Sequence, residues 1–342
     1  MSRPLGPLCW VAPPLDGPLS GGTLYNRELC RALDELEQPV QVRALDAPDL
    51  RAVIARARYT WVDSLYLGVL PELARVAPRR VGLLAHYLPT FVALGRAAAP
   101  SELARDESEA LSAASALLVT SDFMREALEP LVATPKTCCV VEPGSHARLA
   151  AAAPFPSAVG LRALIIANLV PGKGILPLLG ALHERLQSSD RIELTIVGSR
   201  AADAPYAERC RAAIASSSEL ASRVTLRGAL EPDQVQTELA AAQLLLSASA
   251  MESYGMALAE ARVTGVPILT LAGGNSARHV DRAAGGEWVS SIAELAAACL
   301  ELTRTPRLLT RRIEQARRAA VPARSWQRAA RELLDQLEAL EK

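Results

Sequence analysis

Short apolar segments alternate with longer segments of helical periodicity along almost the whole chain. In parallel sheets, strands are buried on both faces by helices, so they are continuous apolar runs instead of alternating polar and apolar positions. The pattern therefore predicts an α/β protein whose parallel sheets are covered by helices on both faces.

The predicted elements form two groups separated by a segment without periodicity. Strands are predicted at 8–12, 40–44, 81–85, 116–120 and 137–141, and then at 163–167, 193–197, 224–226, 244–247 and 267–271. Helices are predicted at 23–36, 101–113 and 122–131, then at 175–186, 206–217, 232–241, 255–263 and 292–303, with two more in 307–340. The segment between the groups contains an alanine run and several prolines, which is typical of a linker. We therefore predict a first domain at 1–150, a linker at 151–160 and a second domain at 161–320.

Length and charge narrow the class of protein. The chain has 342 residues, which exceeds the usual size of a single core and agrees with two domains. Its 37 basic and 37 acidic side chains balance, so nothing in the overall charge favours nucleic acid or an anionic membrane. The N-terminus does not resemble a secretory signal, and no apolar run approaches the ~20 residues that span a bilayer. We expect a cytoplasmic protein with no nucleic-acid partner and no transmembrane segment.

The first candidate site is the loop Ala-Asn-Leu-Val-Pro-Gly-Lys-Gly at 167–174, which follows a predicted strand. Ligands of parallel α/β domains bind at the carboxyl ends of strands. Free N–H groups at the start of the next helix favour an anion there, and Lys173 would add a positive charge. No Ser or Thr follows Gly-Lys, so this is not a Walker loop. Both a phosphate contact and an ordinary turn remain possible interpretations.

The second candidate is the segment 249–261, which follows the strand predicted at 244–247. Gly255 allows close approach of a ligand to the backbone, and a helix begins beside it with free N–H groups. Glu252 precedes this helix start and Glu260 follows it. A carboxylate accepts two hydrogen bonds from a vicinal diol, so the pair suits a ligand with hydroxyls on both sides of a diphosphate. The alternative is an ordinary helix start with two solvated acids.

The same segment resembles the signature of the retaining glycosyltransferases of family 4, in which two Glu residues flank Tyr/Phe-Gly-Met. Here these are Glu252 and Glu260 around Tyr254, Gly255 and Met256. Weaker similarities follow in the family's order at 20–22, 84–87, 119–121, 142–144, 197–199, 224–228 and 325–326. The resemblance implies the GT-B fold, with two Rossmann-like domains facing each other across a cleft and a C-terminal helix, 325–342, crossing back to the first domain.

The resemblance also implies a role for each matching residue. Glu260 would bind the ribose and Glu252 the donor sugar, while Lys173 would neutralise the diphosphate. The remaining implied contacts to the donor are Gly21, Gly22, Asn168, Gly198, Tyr254, Gly255, Met256 and Ala257. His86 would lie near the anomeric carbon, although a purely structural histidine is an equal alternative. The implied catalytic residues are His86, Lys173 and Glu252.

The predicted reaction moves a hexosyl group, with retention, from a UDP- or GDP-sugar to a small-molecule, glycan or lipid-linked acceptor. The chain has no Asp-x-Asp triple, no Cys-x-x-Cys pair and four histidines, so we expect neither a metal nor another cofactor. Asn168 departs from the family, which usually has arginine at this position. This departure keeps an inactive nucleotide-sugar-binding protein as an alternative. A sugar phosphorylase or nucleotide-sugar epimerase is a further alternative, because the same two-domain fold can serve different functions.

Overall fold

The computed structural model describes residues 6–17, 20–132, 134–149 and 160–340. The chain forms two compact units, Met1–Gly144 with Arg324–Lys342, and Ser145–Ala323. Each unit contains a six-stranded sheet, and the strand pairs in both sheets are parallel. This confirms the predicted α/β class with two parallel sheets. Of the predicted linker at 151–160, only Gly160 lies among the described residues.

The first sheet has the order β2-β1-β3-β4-β5-β6. Its strands are β1 Leu8–Val11, β2 Val40–Arg43, β3 Tyr59–Asp63, β4 Val81–Ala85, β5 Leu117–Val119 and β6 Cys138–Val140. The helices between them are α1 Gly21–Glu35, α2 Leu50–Arg56, α3 Leu70–Val76, α4 Pro89–Leu94, α5 Arg105–Ala113 and α6 Asp122–Leu128. Shorter 3-10 turns lie at Ser64–Val69, Pro100–Glu102 and Glu129–Leu131.

Strand β3 is central to this sheet and was absent from the predicted strands. It lies between β1 and β4, and all five of its residues are buried. Its Tyr-Thr-Trp-Val run has the aromatic and β-branched residues that favour strands, but the acidic Asp63 shortens the apolar stretch. Because β2 and β3 lie on opposite sides of β1, the connections after β1 and β3 diverge, which opens a crevice at their carboxyl ends.

The second sheet has the order β12-β11-β10-β7-β8-β9. Its strands are β7 Leu161–Ile166, β8 Ile192–Val197, β9 Val224–Gly228, β10 Leu244–Ser247, β11 Ile268–Leu271 and β12 Glu287–Val289. The helices are α7 Ile175–His183, α8 Ala204–Ala215, α9 Ser218–Ala221, α10 Pro232–Ala241, α11 Met256–Thr264, α12 Ile292–Arg304 and α13 Pro306–Arg318, with 3-10 turns at Pro171–Lys173 and Asn275–His279. The edge strand β12 was not predicted, because its central Trp288 is 40% exposed and its segment lacks an apolar run.

Strand β7 illustrates why the second sheet needs helices on both faces. Leu161, Ala163 and Ile165 belong to one buried cluster, and Leu164 belongs to another on the opposite face. Successive side chains of a strand point to opposite faces, so a strand with buried apolar residues on both faces must be covered on both sides. Helices α7, α8 and α12 contribute to the first cluster, and α10 and α11 contribute to the second.

The final helix, α14 Trp326–Leu340, belongs to the first unit, as the resemblance to the GT-B fold implied. Its apolar face packs against α1, and the Trp326 ring meets the Tyr25 ring edge to face at 5.8 Å. Gln336 Nε2 donates a hydrogen bond to Val140 O over 3.1 Å, which ties the helix to the edge strand β6. Within the described ranges, no helix combines the length and apolar character needed to cross a membrane.

Candidate functional site

The two loops that carry the predicted chemistry lie side by side at the centre of the second sheet. β7 and β10 are neighbours, and the chain leaves them in opposite directions, toward β8 and toward β11. The Ala250 N–H donates to Gly172 O over 3.1 Å and so joins the two loops directly. Such a point of divergence in a parallel sheet is where ligands usually bind.

Lys173 and Glu252 form an ion pair between these loops. The distance from Lys173 Nζ to Glu252 Oε1 is 2.6 Å, and the two side chains are 29% and 17% exposed. A charge-assisted hydrogen bond of this length fixes both groups in position. Lys173 and Glu252 were predicted to contact different parts of one ligand. Because their side chains touch, one bound molecule can contact both.

Asn168 and Gly198 join the carboxyl ends of β7 and β8. Asn168 Oδ1 accepts a hydrogen bond from the Ser199 N–H over 2.8 Å, and the Leu169 N–H donates to Ser199 O over 3.0 Å. A side chain at Gly198 would collide with Ala167 O, so only glycine permits this approach. Asn168 thus supports the backbone here, and its oxygen is not a substitute for the cation of an arginine.

The start of α11 differs by one residue from the predicted start. The helix begins at Met256, and Gly255 precedes it in the left-handed region with φ 93°, so the predicted helix at 255–263 began one residue early. The first turn of a helix has backbone N–H groups without intrahelical acceptors, and here these include Met256 and Ala257. Among the residues that the structure describes, no side chain caps this start. The helix therefore presents free donors and its positive dipole end beside Glu252.

Glu260 is a half-buried carboxyl group on the same helix. Within the described ranges, neither an ion pair nor a hydrogen bond satisfies it. Burial raises its pKa from 4.5 to about 7, because the charged form loses hydration and gains no partner. A carboxyl group left unsatisfied in a ligand-binding region is a candidate ligand contact.

The 3-10 turn Asn275–His279 supports the Glu252 loop from the β11 side. The Asn275 N–H donates to Glu252 O over 2.7 Å. Asn275 Nδ2 and His279 Nε2 both reach Tyr254 O, at 2.7 and 2.6 Å. The His279 ring also meets the Tyr254 ring edge to face at 5.1 Å. Asn275 and His279 were not among the predicted site residues, since their partners are backbone atoms that leave no motif.

In the first unit, the glycines that open α1 lie against His86. Ser20 caps the helix by accepting from the Thr23 N–H over 3.1 Å, and Gly21 and Gly22 form its first turn. A Cβ at Gly22 would lie 3.2 Å from His86 Cδ2, so the imidazole packs directly on this turn. The structure therefore brings together the three predicted site residues of this unit, which come from α1 and from the end of β4.

A buried polar network orients His86. Asn26 Nδ2 donates to Asp63 Oδ2 over 2.7 Å, so Asn26 Oδ1 is left to accept from Trp10 Nε1 at 3.1 Å and from His86 Nε2 at 3.0 Å. His86 Nε2 is therefore a hydrogen-bond donor. Burial alone would raise the pKa of Asp63, but neighbouring His86 and hydrogen bonds from His86, Leu65 N–H and Asn26 hold it below its ordinary value. Of this network, sequence analysis identified only His86.

Comparison with known protein families finds one match, and it lies within the second unit. Residues 160–305 match the family described as glycosyl transferases group 1. The matched segment contains Lys173, Glu252, Glu260 and the 3-10 turn that supports the Glu252 loop. No curated protein matches the chain.

Solved structures with similar folds cover nearly the whole chain. Sucrose-phosphate synthase from Thermosynechococcus elongatus has a TM-score of 0.80 at 18% identity, over 98% of this chain and 99% of the other. Anabaena HepE, in complex with UDP-glucose, has a TM-score of 0.76 at 15% identity, over 98% and 100%. A glycosyltransferase from Rickettsia africae has a TM-score of 0.67 at 15% identity, over 99% and 100%. At these identities the similarity establishes the fold, which is the GT-B type.

Proposed function

We propose that the protein is a retaining glycosyltransferase that uses a UDP- or GDP-sugar as its donor. The observation that carries this proposal is the unsatisfied, half-buried carboxyl of Glu260, on a helix that begins beside the Lys173–Glu252 pair. Binding a ribose diol would give this group the hydrogen bonds that it lacks. The glycosyl transferases group 1 match and the complex of a structural neighbour with UDP-glucose support the same ligand class.

The proposed donor site extends along the carboxyl ends of β10, β7 and β8. The free N–H groups at Met256 and Ala257 bind phosphate oxygens, and Lys173 balances their charge. Glu252 accepts hydrogen bonds from the sugar hydroxyls. As the bond from the anomeric carbon to the diphosphate breaks, negative charge grows on the leaving oxygen, where Lys173 and these amides stabilise it.

The proposed reaction forms the new glycosidic bond on the face that the diphosphate leaves. The acceptor hydroxyl attacks the anomeric carbon, and its proton passes to the departing phosphate, which avoids the need for a protein base. No metal is assigned a role, so activity is expected to survive a chelator. We assign Gly21, Gly22 and His86 to this reaction by family resemblance, and loss of turnover in His86→Ala tests that assignment.

Ligand-induced thermal stabilisation tests the donor site directly. The protein is heated with a panel of nucleoside diphosphates and nucleotide-sugars, and a ligand at ~100 times its dissociation constant is expected to add about 2.7 kcal/mol of stability. Glu260→Ala is expected to abolish the shift. Release of nucleoside diphosphate with an acceptor, and the anomeric configuration of the product by NMR, then test transfer and retention. If the whole panel leaves the melting temperature unchanged, the proposal is wrong.

An inactive nucleotide-sugar-binding protein is the second candidate. Asn168 stands where the resembling family has arginine, and its oxygen is occupied by the Ser199 N–H, so Lys173 is the cation assigned to the diphosphate. One cation fewer lowers the expected stabilisation of the leaving group more than that of the bound donor. Asn168→Arg separates the candidates, because a gain in turnover at unchanged donor affinity indicates an impaired enzyme. Tight binding with no turnover in either protein favours the binding role.

A further inference from the structure

The peptide between Tyr254 and Gly255 is held by two side chains of the neighbouring 3-10 turn. Asn275 Nδ2 and His279 Nε2 converge on Tyr254 O at 2.7 and 2.6 Å. A carbonyl oxygen only accepts hydrogen bonds, so His279 Nε2 must carry a proton. Both side chains are well buried, at 5% and 7% exposed. The Tyr254 carbonyl is thus fixed in direction, pointing toward the turn that follows β11.

This direction determines where the next N–H points. The peptide is trans, and in a trans peptide the C=O and the following N–H point in opposite directions. The Gly255 N–H therefore points away from the Asn275–His279 turn. The Glu252 loop follows β10, which lies between β11 and β7 in the sheet, so the side opposite this turn is the side of the Lys173 loop. In the part of the chain that the structure describes, no acceptor is found for the Gly255 N–H.

A glycine at this position makes the orientation easy to lose. Gly255 has φ 93°, and glycine adopts positive and negative φ with similar ease. Rotation of the 254–255 peptide by half a turn would reverse the N–H at little steric cost. The two hydrogen bonds to Tyr254 O oppose that rotation, because reversal would leave two buried donors without an acceptor.

The protonation state of His279 agrees with this role. Burial lowers its pKa below the ordinary value of 6.5, although the hydrogen bond to Tyr254 O acts in the opposite direction. The ring is therefore neutral at neutral pH, with its proton on Nε2. Its Nδ1 is buried, with no hydrogen-bond partner among the described residues. The Nε2 proton is directed to the Tyr254 carbonyl at 2.6 Å, which is closer than the other polar neighbour of Nε2, Asn275 Nδ2 at 3.2 Å.

We propose that Asn275 and His279 are positioning residues, which lock the Tyr254–Gly255 peptide so that the Gly255 N–H joins the first amides of α11 in binding the phosphates of the donor. This inference rests on the proposed function and adds to it two residues outside the Glu252–Glu260 segment. Neither residue touches the ligand, and both act through the direction of one peptide.

The test compares two His279 variants of equal side-chain length. His279→Gln keeps an N–H donor near the position of Nε2, and His279→Met removes it. Dissociation constants for inorganic pyrophosphate, UDP and GDP are measured by calorimetry at constant ionic strength. Ser217→Ala is the control. Ser217 is the buried N-cap of α9, and its Oγ accepts a hydrogen bond from the Leu220 N–H, so the substitution removes a buried hydrogen bond far in sequence from the site. Glu260→Gln separates the nucleoside contact from the phosphate contact.

We expect His279→Met to weaken pyrophosphate and nucleoside diphosphate alike by roughly three- to tenfold, the net value of one hydrogen bond. His279→Gln and Ser217→Ala are expected to bind both ligands as the native protein does. Glu260→Gln is expected to weaken nucleoside diphosphate alone. A purely structural role for His279 would lower the melting temperature in His279→Met, as in Ser217→Ala, without changing either affinity.

Each other outcome overturns a different statement. Unchanged affinities in a folded His279→Met protein overturn the positioning role and leave the donor site standing. Pyrophosphate binding that depends on His279, without binding of UDP or GDP, overturns the proposed donor but supports the positioning role. A native protein that binds none of the three overturns both. If His279→Met does not fold, Asn275→Ala removes the other donor to Tyr254 O and replaces it in the comparison.

Discussion

Replacing Glu260 with glutamine is expected to stabilise the protein while weakening its proposed ligand contact. The folded chain raises the pKa of Glu260 from 4.5 to about 7, because burial disfavours the charged form. In the unfolded chain this group ionises near its ordinary value. Between these two values the native state keeps a proton that the unfolded state has lost, so stability falls as the pH rises through this window and is level above it. Gln resembles the protonated acid and does not ionise, so the variant does not lose stability through this group as the pH rises.

The magnitude follows from the size of the pKa shift. Each unit corresponds to about 1.4 kcal/mol, so the penalty above neutral pH is about 3 kcal/mol, and it falls below about 1 kcal/mol near pH 5. For a unit of this size, 3 kcal/mol raises the melting temperature by roughly 6–12 °C. Thermal and chemical unfolding of native protein and Glu260→Gln are compared near pH 5 and pH 9.

The control for this comparison is Glu193→Gln, which removes an exposed carboxylate from β8 in the same unit. It is expected to change stability by less than about 0.5 kcal/mol at either pH. A Glu260→Gln protein that is no more stable than the native one at alkaline pH, or whose gain is the same at both pH values, would refute the reasoning. The carboxyl would then be hydrated or paired in solution.

Three further substitutions test other parts of the structure. Asp190→Ala is expected to lower the free energy of unfolding by about 2 kcal/mol at neutral pH, since Arg304 holds the pKa of Asp190 below 3.8. This stabilisation is present above pH 3.8 and is lost as the pH falls below it, so the difference between native protein and variant should shrink when unfolding is measured at decreasing pH. Glu107→Gln is expected to lower the free energy of unfolding in denaturant by about 1–3 kcal/mol, because the buried carboxylate accepts hydrogen bonds from the N–H groups of Thr90 and Ala104. Its control is Glu109→Gln, which changes an exposed residue and should leave stability nearly unchanged. Gly255→Ala is expected to cost about 1–2 kcal/mol at φ 93° and to weaken nucleotide binding, and unchanged affinity would contradict the proposed phosphate contact.

The fold was predictable because its signal is local. A strand buried on both faces, such as β4 or β10, is a short apolar run, and most such runs were identified. β3 was missed because its last residue is the acidic Asp63, whose burial depends on a hydrogen-bond partner that is distant in sequence. Its Oδ1 accepts from the nearby Leu65 N–H, but its Oδ2 accepts from Asn26, which lies 37 positions earlier on another element. A polar residue whose partners are distant in sequence shortens the very pattern that marks a strand.

The candidate site likewise combines residues that local sequence predicts with contacts that it does not. Lys173 and Glu252 were predicted from their own loops, but their ion pair joins residues 79 positions apart and depends on β7 and β10 being neighbours. Asn275 and His279 hold a backbone carbonyl, and a carbonyl is present at every position of every chain. Such contacts therefore carry no sequence signature, and only the folded arrangement reveals them.

The placement of α14 has a consequence for synthesis of the chain. Tyr25, Leu29 and Leu33 of α1 are buried in a unit whose last helix is made only after all of Ser145–Ala323. While the ribosome completes the second unit, the apolar face of α1 lacks the Trp326, Leu333 and Leu337 side chains that help to cover it. The first unit to emerge is thus the last to be finished, and for that interval its exposed face is a natural substrate for a chaperone.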